Sequence, residues 1–364
     1  KNMTSSQGSS ENINEPSPTT SKDASDKSKS TDHMLSLNAK ISAFFMWNCM
    51  YIVCAVVGLS LYIGSIIYPK IIGVYFVVPY LTYTFFLRRD EMKYGNPWPA
   101  FSRDFSPFRA MRSYLGLEIA SPLPEELLKA EERNNVSGDD SQRQQFIFAV
   151  FPHGTASDYR ILMEGILHSI LPNIASKTRT LAASILFRLP LVRELSLWTG
   201  CIDARRNVAE HALDGGHSLV IIPGGEAEQI RTTHGKEIVY LSKRKGFVKL
   251  AMRKGNVPIV PMYVFGCSDH YKTSHALFGF RLWLVKNLGI CIAFSAGLWG
   301  SSCPLPVKTT IVMGKPITFQ MKVEGKPTDE EVQEAHKVFC TALESLFNEH
   351  KDRLGYGDRK LEVI

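Results

Sequence analysis

A long uncharged apolar run near the start of the chain constrains its fold most. Residues 41–63 contain no Asp, Glu, Lys or Arg, and a second such run covers residues 71–87. A helix needs about 20 apolar residues to cross the hydrocarbon core of a bilayer. The first run is therefore long enough to span, and the second is marginal, with Pro79 as an expected kink. The two runs predict a transmembrane helical hairpin over residues 36–89, and a buried pair of core helices is the alternative.

The charges around the two runs predict the orientation of the hairpin. Lys40 precedes the first run and Arg88 and Arg89 follow the second, whereas only Lys70 lies between them. Basic residues collect on the cytosolic side of membrane helices, so both ends of the hairpin are expected to face the cytosol.

Composition divides the rest of the chain into three segments. Residues 1–35 are polar and almost free of large apolar side chains, which predicts a disordered tail. Residues 90–145 begin as an aromatic and basic stretch, for example at Trp98 and Phe101, and are interpreted as a connector at the membrane interface. Residues 146–364 alternate apolar strand-like and helix-like segments and form the folded domain.

Cysteine usage and charge limit the function classes. The seven Cys are scattered without a Cys-x-x-Cys pair, which argues against a disulfide framework and a zinc site and fits a reducing compartment. The net charge of +7 suits anionic lipid, coenzyme phosphates or nucleic acid, and so does not choose between them.

The alternation after residue 146 predicts an α/β fold with a mixed, largely parallel sheet flanked by helices. The strand candidates are residues 146–150, 218–222, 257–264, 291–295 and 309–313. The helix candidates are residues 157–171, 206–214, 240–254 and 328–351.

The first strand candidate ends in a turn that carries chemistry. His153 follows Phe151 and Pro152 directly, Gly154 comes next, and Asp158 lies five residues after the histidine. Five residues on a helix rotate by about 500°, so the two side chains can meet only if His153 is in the loop and Asp158 in the first helical turn. An oriented, partly exposed imidazole is a suitable general base for an alcohol. A capping turn with a surface histidine is the alternative.

The second strand candidate also ends in a glycine turn. Gly224 and Gly225 follow Pro223, and Glu226 and Glu228 come directly after them. The glycine amides, with that of Gly154, are candidate donors to an oxyanion, and either carboxylate is a candidate partner for a substrate hydroxyl. Open α/β sheets bind ligands at the carboxyl ends of their strands, which predicts one crevice for both turns. An ordinary capped turn is the alternative.

A basic amphipathic helix is predicted over residues 243–254. Arg244, Lys245 and Lys249, together with Arg206, are candidate ligands for phosphate groups, and Lys245 and Lys249 share one helix side. A solvated helix face is the alternative explanation for such a run.

Several segments resemble a known family. The sequences FPHG at 151–154, PGGEAE at 223–228, RKGFVKLAMRKGNVPIVPMYVFG at 244–266 and GKPI at 314–317 are similar to the type 2 diacylglycerol acyltransferases, as is the apolar hairpin. The likeness extends from about residue 40 to the end of the chain. Many members have the sequence His-Pro-His-Gly, whereas Phe151 takes the place of the first histidine here. The first histidine of the family motif is therefore not essential in this chain.

The resemblance implies a glycerolipid-acyltransferase-like fold in which residues 146–364 form the acyltransferase domain. It implies an enzyme that joins fatty acyl-CoA to diacylglycerol and releases triacylglycerol and CoA, with His153 as base and Glu228 lining the acceptor site. Acyl-CoA is a substrate, and no metal or redox cofactor is implied. The expected partners are acyl-CoA, diacylglycerol and the lipid bilayer rather than nucleic acid, and a homo-oligomer is compatible with the sequence.

The resemblance also implies a multi-pass protein of the endoplasmic reticulum membrane with a cytosolic catalytic domain, and the lipid droplet is a second location. Monoacylglycerol or a long-chain alcohol is the alternative acceptor, because acceptor choice depends on pocket shape. A non-enzymatic hairpin protein of lipid droplets is a further alternative, and it predicts that His153 and Glu228 are dispensable. The acidic loop argues against a phosphorylated acceptor, because carboxylates repel a phosphomonoester.

Overall fold

The structure is a computed structural model that describes residues 35–136, 143–288 and 291–364. The predicted disordered tail falls outside these residues except for its last position. The helices are α1 (Leu37–Ile67), α2 (Val78–Thr82), α3 (Glu91–Tyr94), α4 (Pro99–Asp104), α5 (Ser106–Tyr114), α6 (Glu125–Val136), α7 (Asp158–Ile170), α8 (Pro172–Ser176), α9 (Val192–Trp198), α10 (Arg206–Asp214), α11 (Gly225–Gln229), α12 (Gly246–Arg253), α13 (Phe278–Leu288) and α14 (Asp329–Lys351). The strands are β1 (Glu118–Ile119), β2 (Ile147–Phe151), β3 (Thr178–Ala182), β4 (Cys201–Asp203), β5 (Ser218–Ile221), β6 (Glu237–Val239), β7 (Ile259–Phe265), β8 (Lys272–Ser274), β9 (Phe294–Ala296), β10 (Thr310–Met313) and β11 (Leu361–Val363).

A seven-stranded sheet forms the centre of the fold, in the order β1-β10-β7-β2-β5-β3-β4. Neighbouring strands run parallel except for β10 and β7, which are antiparallel. The predicted α/β class with a mixed, largely parallel sheet flanked by helices is therefore confirmed. The strands β2 and β5, which precede the two predicted chemical turns, are direct neighbours, so both turns leave the same edge of the sheet.

The sheet is buried on both faces, as parallel sheets generally are. Along β2, Ile147, Ala149 and Phe151 join one apolar cluster, whereas Phe148 and Val150 join the other. Helices α10, α12 and α14 cover the first face, and α5 and α7 cover the second. The buried residues of α14 follow the apolar stripe of the sequence, and Thr328 forms the predicted capping box with Glu331.

The two N-terminal apolar runs differ from the prediction. The first run lies within α1, whose Ala43 and Trp47 are buried against the second apolar cluster. The second run does not form one helix, because it divides into α2 and two flanking π-helical segments, Pro69–Val77 and Tyr83–Leu87. The predicted transmembrane hairpin is not found: among the described residues, no helix combines the length and the apolarity that crossing a membrane requires.

The predicted connector contributes to the folded unit. Its helix α5 buries Phe108, Met111 and Tyr114 against the sheet, and the Tyr114 hydroxyl donates to the Pro304 carbonyl at 2.8 Å. Its strand β1 pairs in parallel with β10 at the end of the sheet. The sheet therefore includes residues that precede the boundary at residue 146.

Candidate active site

His153 lies in the turn that leaves the carboxyl end of β2, and Gly154 makes that turn possible. Gly154 has a φ of +66°, a left-handed conformation that residues with a side chain rarely adopt. A Cβ atom at this position would lie 2.3 Å from the Sγ atom of Cys267, which is buried beneath the turn. Both the backbone conformation and the close packing therefore require glycine after the histidine.

The hydrogen bonds of His153 define which ring nitrogen can act as a base. Ser157 donates its hydroxyl to the His153 carbonyl at 2.9 Å, so its oxygen is left to accept from Nδ1 at 3.0 Å. The Gly154 carbonyl, also 3.0 Å from Nδ1, can only accept. Both contacts favour the tautomer with the proton on Nδ1, which leaves the Nε2 lone pair available.

Burial lowers the pKa of His153 below its ordinary value, and the hydrogen bond to Gly154 partly opposes this shift. His153 as a whole residue is half-buried and keeps part of its surface exposed. A lowered pKa keeps the imidazole neutral at neutral pH, which is the state that a general base requires.

Glu228 connects the histidine turn to the glycine turn after β5. Its carboxylate is 1% exposed and accepts the backbone N–H of His153 through one oxygen and that of Tyr240, at 2.6 Å, through the other. Burial raises the pKa of Glu228 to about 7, and the two backbone hydrogen bonds oppose that shift. The structure thus places Glu228 against the backbone of the His153 turn.

Asp158 is the first residue of α7, as the spacing argument predicted. Its carboxylate accepts from the Tyr271 hydroxyl at 2.7 Å, and the hydrogen bonds of the described residues do not join it to His153. Burial raises the pKa of Asp158 to about 6, and the hydrogen bond from Tyr271 opposes this. The imidazole is oriented instead by Ser157 and Gly154.

A single cavity of about 650 Å³ brings together residues from both predicted turns. His153 and Asp158 line it, and so do Gly225 and Glu226. Many of the remaining lining residues are apolar: Trp47, Met111, Ile161, Leu181, Ile185, Leu186 and Ile222. We name this space the central cavity; it has the size and the mixture of apolar walls and few polar groups that ligand sites commonly show.

A second cavity of about 520 Å³ adjoins the central cavity and carries basic side chains. Arg206, Arg244 and Lys249 line it. Lys243 also lines it, although the sequence analysis did not select this residue as a candidate phosphate ligand. The two cavities share Leu181, Ala204 and Ile222 in their walls. We name this second space the basic pocket.

The basic side chains differ in their availability. Arg206 pairs with Glu210 at 2.8 Å, and Lys249 pairs with Asp329 at 2.8 Å. Lys245 does not line the basic pocket; its ammonium hydrogen-bonds the Gln333 side chain on α14. The structure therefore groups Arg206, Arg244 and Lys249 of the predicted phosphate ligands and leaves Lys245 apart.

Arg244 holds the second turn and retains an unused donor. Its guanidinium donates to the Gly224 carbonyl at 3.2 Å and lies over the Tyr240 ring, 5.2 Å from the ring centroid. Its buried Nε has no hydrogen-bond partner among the described residues. Because an unpaired buried N–H is costly, this donor favours an anionic ligand in the basic pocket.

The position of Gly224 requires glycine, because a Cβ atom there would lie 2.3 Å from Glu228 Oε2. Gly225 lines the central cavity and has a φ of +51°. The amide N–H of Gly225 donates to the Ile222 carbonyl at 3.2 Å, so Gly154 and Gly224 are the glycines whose amides have no recorded partner among the described residues.

Some site residues were not selected from the sequence. Ser157 could have been found from its position four residues after the histidine. Trp47 and Tyr271 lie more than 100 residues from His153 in the chain, and no local pattern connects them to it.

The chain was compared with known protein families and known proteins. Residues 133–364 match the family model described as diacylglycerol acyltransferase. A protein of Eremothecium gossypii named diacylglycerol O-acyltransferase 1 is 31% identical over 235 residues, which are 60% of this chain and 50% of that protein. Diacylglycerol O-acyltransferase 2 of Danio rerio is 33% identical over 242 residues, 61% of this chain and 65% of that protein. Human 2-acylglycerol O-acyltransferase 3 is 35% identical over 188 residues, 47% of this chain and 53% of that protein. These matches span between half and two thirds of the length of the relatives.

Proposed function

This chain belongs to the diacylglycerol acyltransferase family, and we propose that it transfers a fatty acyl group from acyl-CoA to the free hydroxyl of diacylglycerol. The products are triacylglycerol and free CoA. The observation that carries the proposal is the central cavity, which is lined by His153 as well as by Gly225 and Glu226 and which adjoins the basic pocket.

In the proposed reaction, the acceptor hydroxyl transfers its proton to Nε2 of His153 as its oxygen forms a bond with the thioester carbonyl carbon. The tetrahedral oxyanion then collapses, the carbon–sulfur bond breaks, and the CoA sulfur takes the proton from His153. The Nδ1 contacts to Ser157 and Gly154 support this assignment, because they leave Nε2 unprotonated at the start. General-base help of this kind contributes about 10²- to 10⁴-fold in rate.

Backbone amides of the two turns are the proposed donors to the oxyanion. The amides of Gly154 and Gly224 have no recorded partner among the described residues, which supports them over that of Gly225. The apolar walls of the central cavity would exclude water, which otherwise competes for the thioester.

The basic pocket is the proposed site for the phosphate groups of CoA. Arg206, Arg244 and Lys249 are the expected ligands, and Lys243 is added to them because it lines the same pocket. The shared wall of the two cavities would allow the pantetheine arm to reach the thioester position beside His153. Acyl-CoA is a substrate in this scheme, and no metal or redox group has a role in it.

A neutral acceptor is favoured over a phosphorylated one. Glu226 lines the central cavity and would repel a phosphomonoester in its ionised form. Burial raises the pKa of Glu226, and the charge of Arg244 opposes that shift. A carboxyl group in this position can accept a hydrogen bond from the free hydroxyl of a neutral glyceride.

Contact with a lipid surface would deliver such an acceptor. The helix α1 and the segments after it expose many large apolar side chains, including Phe45, Ile52, Leu59, Tyr75 and Phe86. Apolar patches of this extent on a folded protein mark interaction with membranes or other proteins. The endoplasmic reticulum membrane, with the catalytic domain on its cytosolic side, is the proposed location.

The direct test uses the full chain purified in detergent with labelled acyl-CoA and diacylglycerol. We expect labelled triacylglycerol from the wild type and a loss of at least about 100-fold in rate for His153→Ala. The exposed His211 on α10 provides the matched control, and His211→Ala should retain the wild-type rate. Unchanged turnover by His153→Ala would contradict the base assignment.

An acceptor panel separates the remaining functions. Monoacylglycerol and hexadecanol test the alternative acceptors, the first of which is named by the human relative. Lysophosphatidate tests a phosphorylated acceptor. If the folded wild-type protein acylates neither diacylglycerol nor any of these three acceptors, the enzymatic proposal fails and a non-enzymatic lipid-droplet protein is favoured.

A further inference from the structure

A third cavity, of about 350 Å³, adjoins the central cavity and is lined in part by β9, which pairs antiparallel with β8. It shares Ala156 and Gln229 with the central cavity. Its polar side chains are hydroxyls and one amide: Thr155, Gln229, Tyr271, Ser295, Ser301 and Ser302. No Asp, Glu, Lys or Arg lines it among the described residues. We name this space the hydroxyl pocket.

Several polar groups of the hydroxyl pocket have capacity for a ligand. The hydroxyls of Thr155 and Ser295 have no hydrogen-bond partner among the described residues. Gln229 donates its amide to the Thr155 carbonyl at 2.6 Å, and its Oε1 atom accepts from no described group. These groups can donate and accept, so they suit an uncharged molecule that carries hydroxyl and ester oxygens.

The wall of the hydroxyl pocket is fixed by the N-terminal helix. Asn48 of α1 donates to the Ser301 hydroxyl at 3.2 Å and accepts from the Ser302 hydroxyl at 2.7 Å. This explains a polar residue inside the long apolar run, because Asn48 attaches the run to the loop after β9. The same helix buries Trp47, which lines the central cavity.

The position of the hydroxyl pocket complements that of the basic pocket. The two pockets share no lining residue, whereas each shares residues with the central cavity that contains His153. Such an arrangement lets two substrates in separate pockets bring their reacting groups together in one space, which lowers the barrier of a two-substrate reaction.

We propose that the hydroxyl pocket binds the glycerol ester head of the diacylglycerol acceptor, an inference that rests on the proposed function. The uncharged lining selects a neutral glyceride, and the acceptor hydroxyl extends past Ala156 towards His153. The basic pocket on the other side holds the acyl donor.

Apolar side chains beside the hydroxyl pocket suit the acyl chains of such an acceptor. Ile292 and Phe294 alternate with the lining residues Ala293 and Ser295, and both are exposed. Trp299, which precedes the lining residue Gly300, is 56% exposed. A diglyceride has a small polar head and two apolar chains, and this surface offers a place for each.

The test fills the hydroxyl pocket and measures the two substrates separately. Ala293→Leu adds bulk to the wall without changing charge, and we expect the KM for diacylglycerol to rise at least about tenfold. The KM for acyl-CoA should stay within about twofold of the wild type. Ala276→Leu on the nearby exposed loop adds the same side chain outside the pocket and should leave both constants unchanged. An equal rise in both constants, or no rise in either, would overturn the inference.

A milder variant guards against misfolding of Ala293→Leu. Ser295→Ala removes one hydroxyl, and we expect the KM for diacylglycerol to rise about two- to tenfold, the range of one hydrogen bond. The control is Ser274→Ala, because Ser274 lies on the paired strand β8 and does not line the pocket. If Ser295→Ala behaves as the wild type, the hydroxyl has no part in acceptor binding and the pocket assignment fails.

A binding measurement separates this inference from the proposed function. Dioctanoylglycerol is titrated calorimetrically into the His153→Ala protein, with and without Ala293→Leu. Weaker binding to the double variant supports the pocket even if the wild type forms no triacylglycerol, in which case only the proposed function fails. Equal binding to both proteins, with an active wild type, overturns the pocket and leaves the function standing.

Discussion

Glu228 holds the backbone of His153 from behind, because one oxygen of its buried carboxylate accepts the histidine N–H. The other oxygen accepts the backbone N–H of Tyr240, the residue directly after β6, at 2.6 Å. The strand β6 is in turn paired in parallel with the C-terminal strand β11. The position of the imidazole therefore depends on a segment more than 200 residues further along the chain, and the carboxylate serves as a positioning group in this geometry.

Replacement of Glu228 should lower turnover more than substrate binding. Glu228→Gln keeps the size of the side chain but sets its NH2 group against one of the two backbone N–H groups. We expect kcat to fall at least about fivefold, since an unsatisfied buried donor costs about 1–3 kcal/mol. The KM for acyl-CoA should change little, because Glu228 does not line the central cavity or the basic pocket.

The control for Glu228→Gln is Glu344→Gln on the exposed side of α14. Initial rates at several concentrations of acyl-CoA give kcat and KM separately. A rise in KM without a loss of kcat in Glu228→Gln would instead indicate that the carboxylate contacts the substrate.

The Ser157 hydroxyl should contribute to catalysis by orienting the imidazole. Ser157→Ala removes the contact to Nδ1 at 3.0 Å and leaves the Gly154 carbonyl as the remaining acceptor. We expect kcat to fall about two- to tenfold, the value of one hydrogen bond. Ser169→Ala, on the helix α7 that follows Ser157, removes a hydroxyl that donates to the Gly165 carbonyl and has no other partner among the described residues, and it should keep full activity. Rates that do not differ between these two variants would remove the orienting role.

The stability of the protein should depend on pH through Asp158. Burial raises the pKa of this carboxyl from the ordinary 3.8 to about 6, so the folded state binds the proton more tightly than the unfolded state. The stabilising contribution is present below about pH 4 and is lost as the pH rises through about 6. The loss should be on the order of 3 kcal/mol.

Asp158→Asn removes this titration and keeps an oxygen that can accept from Tyr271. The free energy of unfolding of the wild type, relative to the variant, should therefore decrease from pH 4 to pH 6 in denaturant titrations. A parallel pH dependence of the two proteins would contradict the raised pKa. Asp158→Asn should also reduce the rate less than His153→Ala, because the described hydrogen bonds do not link Asp158 to the imidazole.

The basic pocket should affect acyl-CoA alone. Arg206→Gln and Lys243→Gln remove charges that line this pocket, and we expect each to raise the KM for acyl-CoA about three- to tenfold at low salt. The effect should diminish at high salt, because exposed charges are screened. The control is Lys254→Gln, directly after the end of α12, because the Lys254 ammonium pairs with Asp214 and does not line the pocket. A similar KM for all three variants would exclude the basic pocket as the coenzyme site.

Gly154→Ala should destabilise the fold through both strain and crowding. The position has a φ of +66°, and the new Cβ atom would lie 2.3 Å from Cys267 Sγ. We expect a loss of about 2–4 kcal/mol in the free energy of unfolding. Gly235→Ala isolates the backbone contribution, because Gly235 has a φ of +76° and no atom within 4 Å of the Cβ position. Equal losses for the two variants would mean that Cys267 yields without cost.

The fold class could be predicted because the signals that define it are local. The apolar segments around β2, β5, β7 and β10 and the helices α7, α10 and α14 agree with the candidates to within two residues at each end. The candidate helix over residues 240–254 was too long, since α12 begins at Gly246 and β6 ends at Val239. The strands β3 and β4 were missed, because β3 begins with the polar residues Thr178, Arg179 and Thr180 and β4 has only three residues, so neither forms an apolar run.

The candidate site was only partly predictable for the same reason. Two glycine turns after neighbouring strands predicted a shared crevice, and the central cavity lined by His153 and Gly225 confirms that these turns meet. The expected pairing of His153 with Asp158 followed from spacing, but Asp158 bonds Tyr271. Spacing defines which groups can reach each other and leaves open which partner lies closer after folding.

The sequence by itself determined the alternation of strands and helices, the two glycine turns and the basic helix, because each depends on residues close together in the chain. Only the tertiary structure decided that Glu228 supports His153 from behind, that Lys245 leaves the basic pocket, and that Asn48 attaches the apolar helix to the hydroxyl pocket. These contacts join residues 75 or more positions apart. Their choice depends on which surfaces the packed core brings together, and no local pattern records that.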